Sequence, residues 1–140
     1  MLELAFKVII GAVLVSTKLA FSAEISLMSY NVENLFDAVD EKNKKDETFL
    51  PLKKKNQGDL CANIKVWRKK ACQKLNWDDG VLSEKMSQLA KVILSMNAGK
   101  GADILVLQEV ENLNVLKKFN QKFLKSAGYQ TVELMEGPDV

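Results

Sequence analysis

One short run constrains this chain most: Asp103-Ile104-Leu105-Val106-Leu107, which follows two glycines. An apolar run of this length after a helix reads as a strand buried on both faces, as in a sheet covered on each side. The preceding helix is legible from spacing. Leu82, Met86, Leu89, Ile93 and Met96 recur at intervals of 4, 3, 4 and 3, so they share one helix face, with Lys85, Gln88 and Lys91 outside it. Asp78 or Asp79 can cap its start, and Asn97-Ala98-Gly99 supplies its stop. The methionines of that face read as core filler rather than ligands. A second helix follows the strand, with Leu113, Leu116, Phe119, Phe123 and Ala127 inside and Gly128 near its end. Tyr129 to Leu134 reads as a short alternating strand, broken by Gly137-Pro138. Upstream, Glu24 to Tyr30 alternates as a strand with both faces partly apolar. The order β, long loop, α, β, α, β is that of an α/β layer.

Residues 37–76 show little pattern. Between Asp37 and Lys74 stand eleven Lys/Arg against six Asp/Glu, so this segment is +5 within a chain whose net charge is +2. Lys53-Lys54-Lys55 and Arg68-Lys69-Lys70 are the basic clusters, and Trp67 adjoins the second. Such a strip reads either as a solvated loop or as a surface for polyanions. The chain has no histidine, which excludes any mechanism in which it alone supplies a histidine base.

The chain opens MLELAFKVIIGAVLVSTKLAFSAEIS. A basic start, an apolar run from Val8 to Val15 too short to span a bilayer, and small residues near Ser22 and Ala23 read as a secretory signal, residues 1–23. Glu3 and Phe21 fit that pattern imperfectly, and an uncleaved anchor or buried helix is the other reading. No cysteine lies near the cut, so a lipid anchor has no support and no stable membrane anchor is expected. Export makes a disulfide between Cys61 and Cys72 the expectation, with two free thiols as the alternative.

Two strands end in polar residues: Tyr30-Asn31-Val32-Glu33-Asn34 and Leu107-Gln108-Glu109. Sites in open α/β sheets are built at the carboxyl ends of strands. If these strands are neighbours, Asn31 and Glu109 converge at one rim. A hard cation such as Mg²⁺ takes a few such oxygens, with water and substrate phosphate filling the rest.

The segment Ser29-Tyr30-Asn31-Val32-Glu33-Asn34-Leu35-Phe36-Asp37 resembles the opening motif of the endonuclease/exonuclease/phosphatase superfamily. Ala102-Asp103-Ile104-Leu105-Val106-Leu107-Gln108-Glu109-Val110-Glu111-Asn112 resembles its second motif, and the helix carrying Ala90-Lys91-Val92-Ile93 stands between them as expected. The resemblance covers about residues 25–140. It implies the N-terminal part of a two-sheet αββα sandwich and Mg²⁺- or Mn²⁺-dependent hydrolysis of a phosphodiester, nucleic acid included. Glu109 would be catalytic and a metal ligand, and Asn31 would contact the phosphate or the metal shell. Glu33 stands where some members carry a second carboxylate at the metal. Its alternative, like that of Asp37 and Glu111, is a solvent-facing turn residue.

The family's later His-Asp, Asp-x-Asn and Ser-Asp-His motifs are not present in the 140 residues. The expectation is therefore that residues 24–140 form an incomplete portion of such a domain, from an exported hydrolase, and are inactive alone. The alternative is a non-catalytic secreted α/β module that binds a partner through its basic loop.

Overall fold

The computed structural model describes residues 23–42 and 44–137, so all but the last residue of the expected signal segment lies outside the described residues. The elements run β1 (Leu27–Leu35), α1 (Leu52–Gly58), α2 (Val66–Lys74), α3 (Asp79–Ile93), β2 (Ile104–Val110) and α4 (Leu113–Phe123). Short 3₁₀ turns occupy Glu47–Phe49, Asn97–Gly99 and Lys125–Ala127. Among the described residues this is a mixed α/β fold with four α-helices and a two-stranded parallel sheet.

β1 and β2 pair directly, with Leu27 opposite Ile104 and Asn31 opposite Gln108. Parallel neighbours need a crossover, and α3 supplies it. Asp78 caps α3 by accepting from the amides of Gly80 and Val81, each at 3.0 Å. Leu82, Met86, Leu89, Ala90 and Ile93 are its buried face and pack with Val32 and Leu35 of β1 and with Val115, Phe119 and Leu124 of the α4 region. Asn112 caps α4 by accepting from the Val115 amide at 2.8 Å.

Five sequence expectations about the fold need correction. β1 continues to Leu35 rather than ending at Tyr30, because Val32 and Leu35 are fully buried and hold the chain down. β2 is covered on one face only among the described residues: Leu105 and Leu107 pack on the core, while Ile104 and Val106 are 48% and 44% exposed. Residues 129–134 form no strand and no ladder with β2. In α4 the buried pair is Val115 and Phe119, whereas Leu113, Leu116 and Phe123 are only partly covered.

The fifth correction concerns 37–76, which is not a bare loop. It carries α1 and α2, clamped by the Cys61–Cys72 disulfide. The apolar periodicity is missing because neither helix buries an apolar stripe: α1 buries Lys55, and α2 buries Cys72. The Lys55 ammonium donates to the carbonyls of Thr48 and Leu75, which satisfies it inside the protein, and burial pushes its pKa down. Phe36 stacks on Phe49 at 4.2 Å between centroids, Phe49 meets Trp77 edge-on at 5.4 Å, and Trp77 Nε1 donates to the Phe36 carbonyl. These contacts tie the helical hairpin to the end of β1.

Candidate functional site

A regular parallel pair would keep Asn31 and Glu109 apart. Asn31 faces Gln108 in register, so its side chain shares the face of Leu27 and Ser29. Glu109, one residue on, belongs to the opposite face. A bulge resolves this. Between the pairs Asn31↔Gln108 and Leu35↔Val110, β1 has three residues and β2 has one, Glu109. Glu33, Asn34 and Glu109 take positive φ, at 53°, 65° and 62°. Asn tolerates that region; Glu does so at a cost on the order of 1 kcal/mol or more. Strained backbone is thus concentrated at one strand end.

The bulge brings the two motif ends together. Asn31 Nδ2 donates to Glu109 Oε1 at 2.7 Å, and the Asn34 amide donates to Glu109 Oε2 at 3.1 Å. Asn31 Oδ1 in turn accepts from the Glu33 amide at 2.7 Å, which fixes the rotamer of the amide side chain. Lys85 of α3 donates to the Glu33 carbonyl at 2.8 Å and sits 5.8 Å from the Trp77 ring centroid. Asn31, Glu33 and Glu109 are all exposed. The result is a solvent-facing carboxylate held by two donors, each using one lone pair per oxygen and leaving the other free.

The structure does not bring the Glu33 carboxylate into this arrangement. Its backbone N–H and C=O build the bulge, and among the described residues its side chain makes no hydrogen bond or ion pair. Nor does any group of three or more His, Cys, Asp or Glu among the described residues form a ready-made metal cage. One carboxylate is compatible with Mg²⁺, which binds through one or two carboxylates and keeps several waters. The donor set therefore fits a water-rich cation at Glu109, and it does not fit a dehydrated all-protein site.

Glu111 and Asp37 are not free turn residues. Glu111 Oε2 accepts from the Asp37 amide at 2.8 Å, and its own amide donates to the Leu35 carbonyl. Asn112 Nδ2 lies 3.1 Å from Asp37 Oδ2, 2.8 Å from Glu41 Oε1 and 3.4 Å from Glu111 Oε2. Burial, aided by Asp37, Asp46 and Glu41, pushes the Glu111 carboxyl up to about 8. Asp46, fully buried, is raised for the same first reason. This network holds the chain after the bulge and so supports the rim from behind.

The residue pattern points to Asn31, Glu33 and Glu109 and not to Lys85 or the Asn34 amide. The sequence signal for Asn34 is that asparagine tolerates the left-handed region it occupies; nothing in the helical pattern marks Lys85. Two concavities lie away from the rim. One, of about 730 Å³, sits at the opposite strand ends by Ser26, Gly101, Asp103 and Tyr129. The other, of about 540 Å³, lies between β2 and residues 131–135. No family model, curated protein or solved structure matches the chain.

Proposed function

We propose that this chain carries the metal-holding rim of an exported, divalent-metal-dependent phosphoester hydrolase of the endonuclease/exonuclease/phosphatase type, with the sheet forming part of a two-sheet αββα sandwich. The observation that supports it is the 2.7 Å hydrogen bond between Asn31 and Glu109, residues 78 positions apart that belong to the two family-like motifs. The apolar face left open by Leu27, Ile104 and Val106 suits a second layer. The Cys61–Cys72 disulfide suits an oxidising compartment.

In this reading Glu109 would hold Mg²⁺ or Mn²⁺, which would supply Lewis-acid polarisation of a phosphoryl oxygen and offset charge on the leaving oxygen. Asn31 keeps the Glu109 carboxylate in one orientation, and the Asn34 amide holds its second oxygen. The rim is open to solvent, so a phosphodiester can reach it. With no histidine in the chain, these residues supply no histidine base.

The test is Mn²⁺ binding followed by electron paramagnetic resonance, for the wild type and Glu109→Gln. The substitution keeps the shape and one oxygen but removes the charge. Binding should weaken about tenfold or more in the variant, and Mg²⁺ should compete in the wild type. Equal Mn²⁺ binding by both proteins would reject the reading.

A further inference from the structure

The α1–α2 hairpin presents a surface that the rim does not use. From Pro51 to Lys74 there are eight Lys/Arg and one acid, Asp59. Lys55 is buried, and Lys54 pairs with Asp40 at 3.5 Å, outside the hairpin. Of the remaining cations, Lys65, Arg68, Lys69 and Lys70 flank two apolar residues at the start of α2, the Lys69 ammonium also donating to the Ala62 carbonyl at 3.2 Å: Val66 is 88% exposed and Trp67 75%. The Arg68 guanidinium lies 5.8 Å from the Trp67 ring centroid. Lys65 precedes the pair, and Lys69 and Lys70 follow it.

Val66 and Trp67 are adjacent in sequence, so they project about 100° apart around the helix. They form a blunt tip and not a stripe. A stripe would suit a groove on a protein or a helix lying flat in a membrane; a tip ringed by cations suits insertion at headgroup level. A nucleic acid would match the charge, but single-strand binders repeat aromatic platforms along the strand. Trp67 is the sole aromatic residue from Leu52 to Lys74, and Val66 offers nothing to a base or a phosphate. The disulfide, with Cα atoms 5.9 Å apart, keeps the tip preformed, so docking orders little additional chain.

We propose that the stapled hairpin docks reversibly on anionic lipid surfaces, with Val66 and Trp67 inserted among the headgroups and Lys65, Arg68, Lys69 and Lys70 against their phosphates. Among the described residues no helix is long and apolar enough to cross a membrane.

The experiment is co-sedimentation of the full, oxidised chain with vesicles of equal parts phosphatidylglycerol and phosphatidylcholine, and with phosphatidylcholine alone. Tryptophan emission is read in parallel. Trp77 is buried, so a blue shift on binding belongs to Trp67. Binding should require the anionic lipid and fall with salt, and quenchers placed at headgroup depth should quench Trp67. The double substitution Val66→Ser/Trp67→Ser should weaken binding about tenfold or more, and Lys65→Ala/Lys70→Ala about twentyfold at low salt. Both pairs are exposed, so circular dichroism should not change. Unchanged binding by the Val66/Trp67 variant, equal binding to neutral vesicles, no binding, or displacement of vesicles by a single-stranded oligonucleotide that stacks on Trp67 would each overturn the proposal.

Discussion

Removing the disulfide should unfold one part of the protein and spare the rest. Cys61 and Cys72 are 11 residues apart, and closing a loop of that size in the unfolded chain is worth about 3 kcal/mol. That energy is concentrated because the hairpin has few other supports. α1 has seven residues and α2 nine, both shorter than the ~12–15 an isolated helix needs in water. Lys55, the Lys54–Asp40 pair, Leu50 and the flanking Phe36–Phe49–Trp77 stack remain to hold them. The replacement is Cys61→Ala/Cys72→Ala, because alanine puts no unpaired hydroxyl at the fully buried Cys72 site. The assay is amide hydrogen exchange, residue by residue. Protection over residues 52–74 should drop by about 100-fold or more, the factor that 3 kcal/mol implies. Amides of α3, β1 and β2 should change little, because their core of Leu82, Met86, Ile93, Val32 and Phe119 does not include the hairpin. Retained protection in α1 and α2 would refute the reasoning and assign the hairpin's stability to the Lys55 hydrogen bonds and the aromatic stack. A global loss of protection would refute it in the other direction.

Two further outcomes follow from the same structure. Glu111 carries a carboxyl raised from 4.5 to about 8, so its protonated form is favoured by folding: the stability it contributes is complete below pH 4.5 and is lost as pH rises to about 8. The full shift would be worth at most about 5 kcal/mol, and screening of this half-buried group brings it to roughly 2 kcal/mol; Glu111→Gln should abolish that loss in urea titrations run from pH 4.5 to 8.5, and an unchanged pH profile would contradict it. Gly101 has φ 73°, and a Cβ there would stand 2.8 Å from Tyr129 Oη, which donates to the Ala102 carbonyl. Gly101→Ala should therefore cost about 2 kcal/mol of stability, part of it recovered by adding Tyr129→Phe, and additive costs would contradict the clash.

What was legible in the sequence follows from what kind of force forms each element. α3 is held by an apolar face and an acidic cap, and both are written in local spacing: Leu82, Met86, Leu89 and Ile93, with Asp78 as the cap. α1 and α2 are held by a cross-link and by a buried ammonium, which leave no periodic trace. Cys61 and Cys72 could be paired from their count and compartment, but pairing does not say that the enclosed chain is helical. The candidate site was legible as residue types at two strand ends. Its geometry was not, because alternation alone sends Asn31 and Glu109 to opposite faces. Three residues in the left-handed region reverse that, and two of them are glutamates, which local propensity would not place there. Glu33 was a reasonable metal-ligand expectation by position; the bulge instead uses its backbone, with the N–H on Asn31 and the C=O on Lys85.

The most direct test is where a paramagnetic ion lands. Mn²⁺ added to ¹⁵N-labelled protein broadens nearby amide resonances with a steep distance dependence, so the pattern locates the ion. The bulge predicts broadening centred on Asn31, Asn34 and Glu109, reversed by excess Mg²⁺ and absent in Glu109→Gln. Gly101 and Tyr129 at the far strand ends, and Trp67 on the hairpin, should stay sharp. Broadening centred on Gly101 and Asp103, or spread evenly over the surface, would contradict a metal-holding rim at these two strand ends.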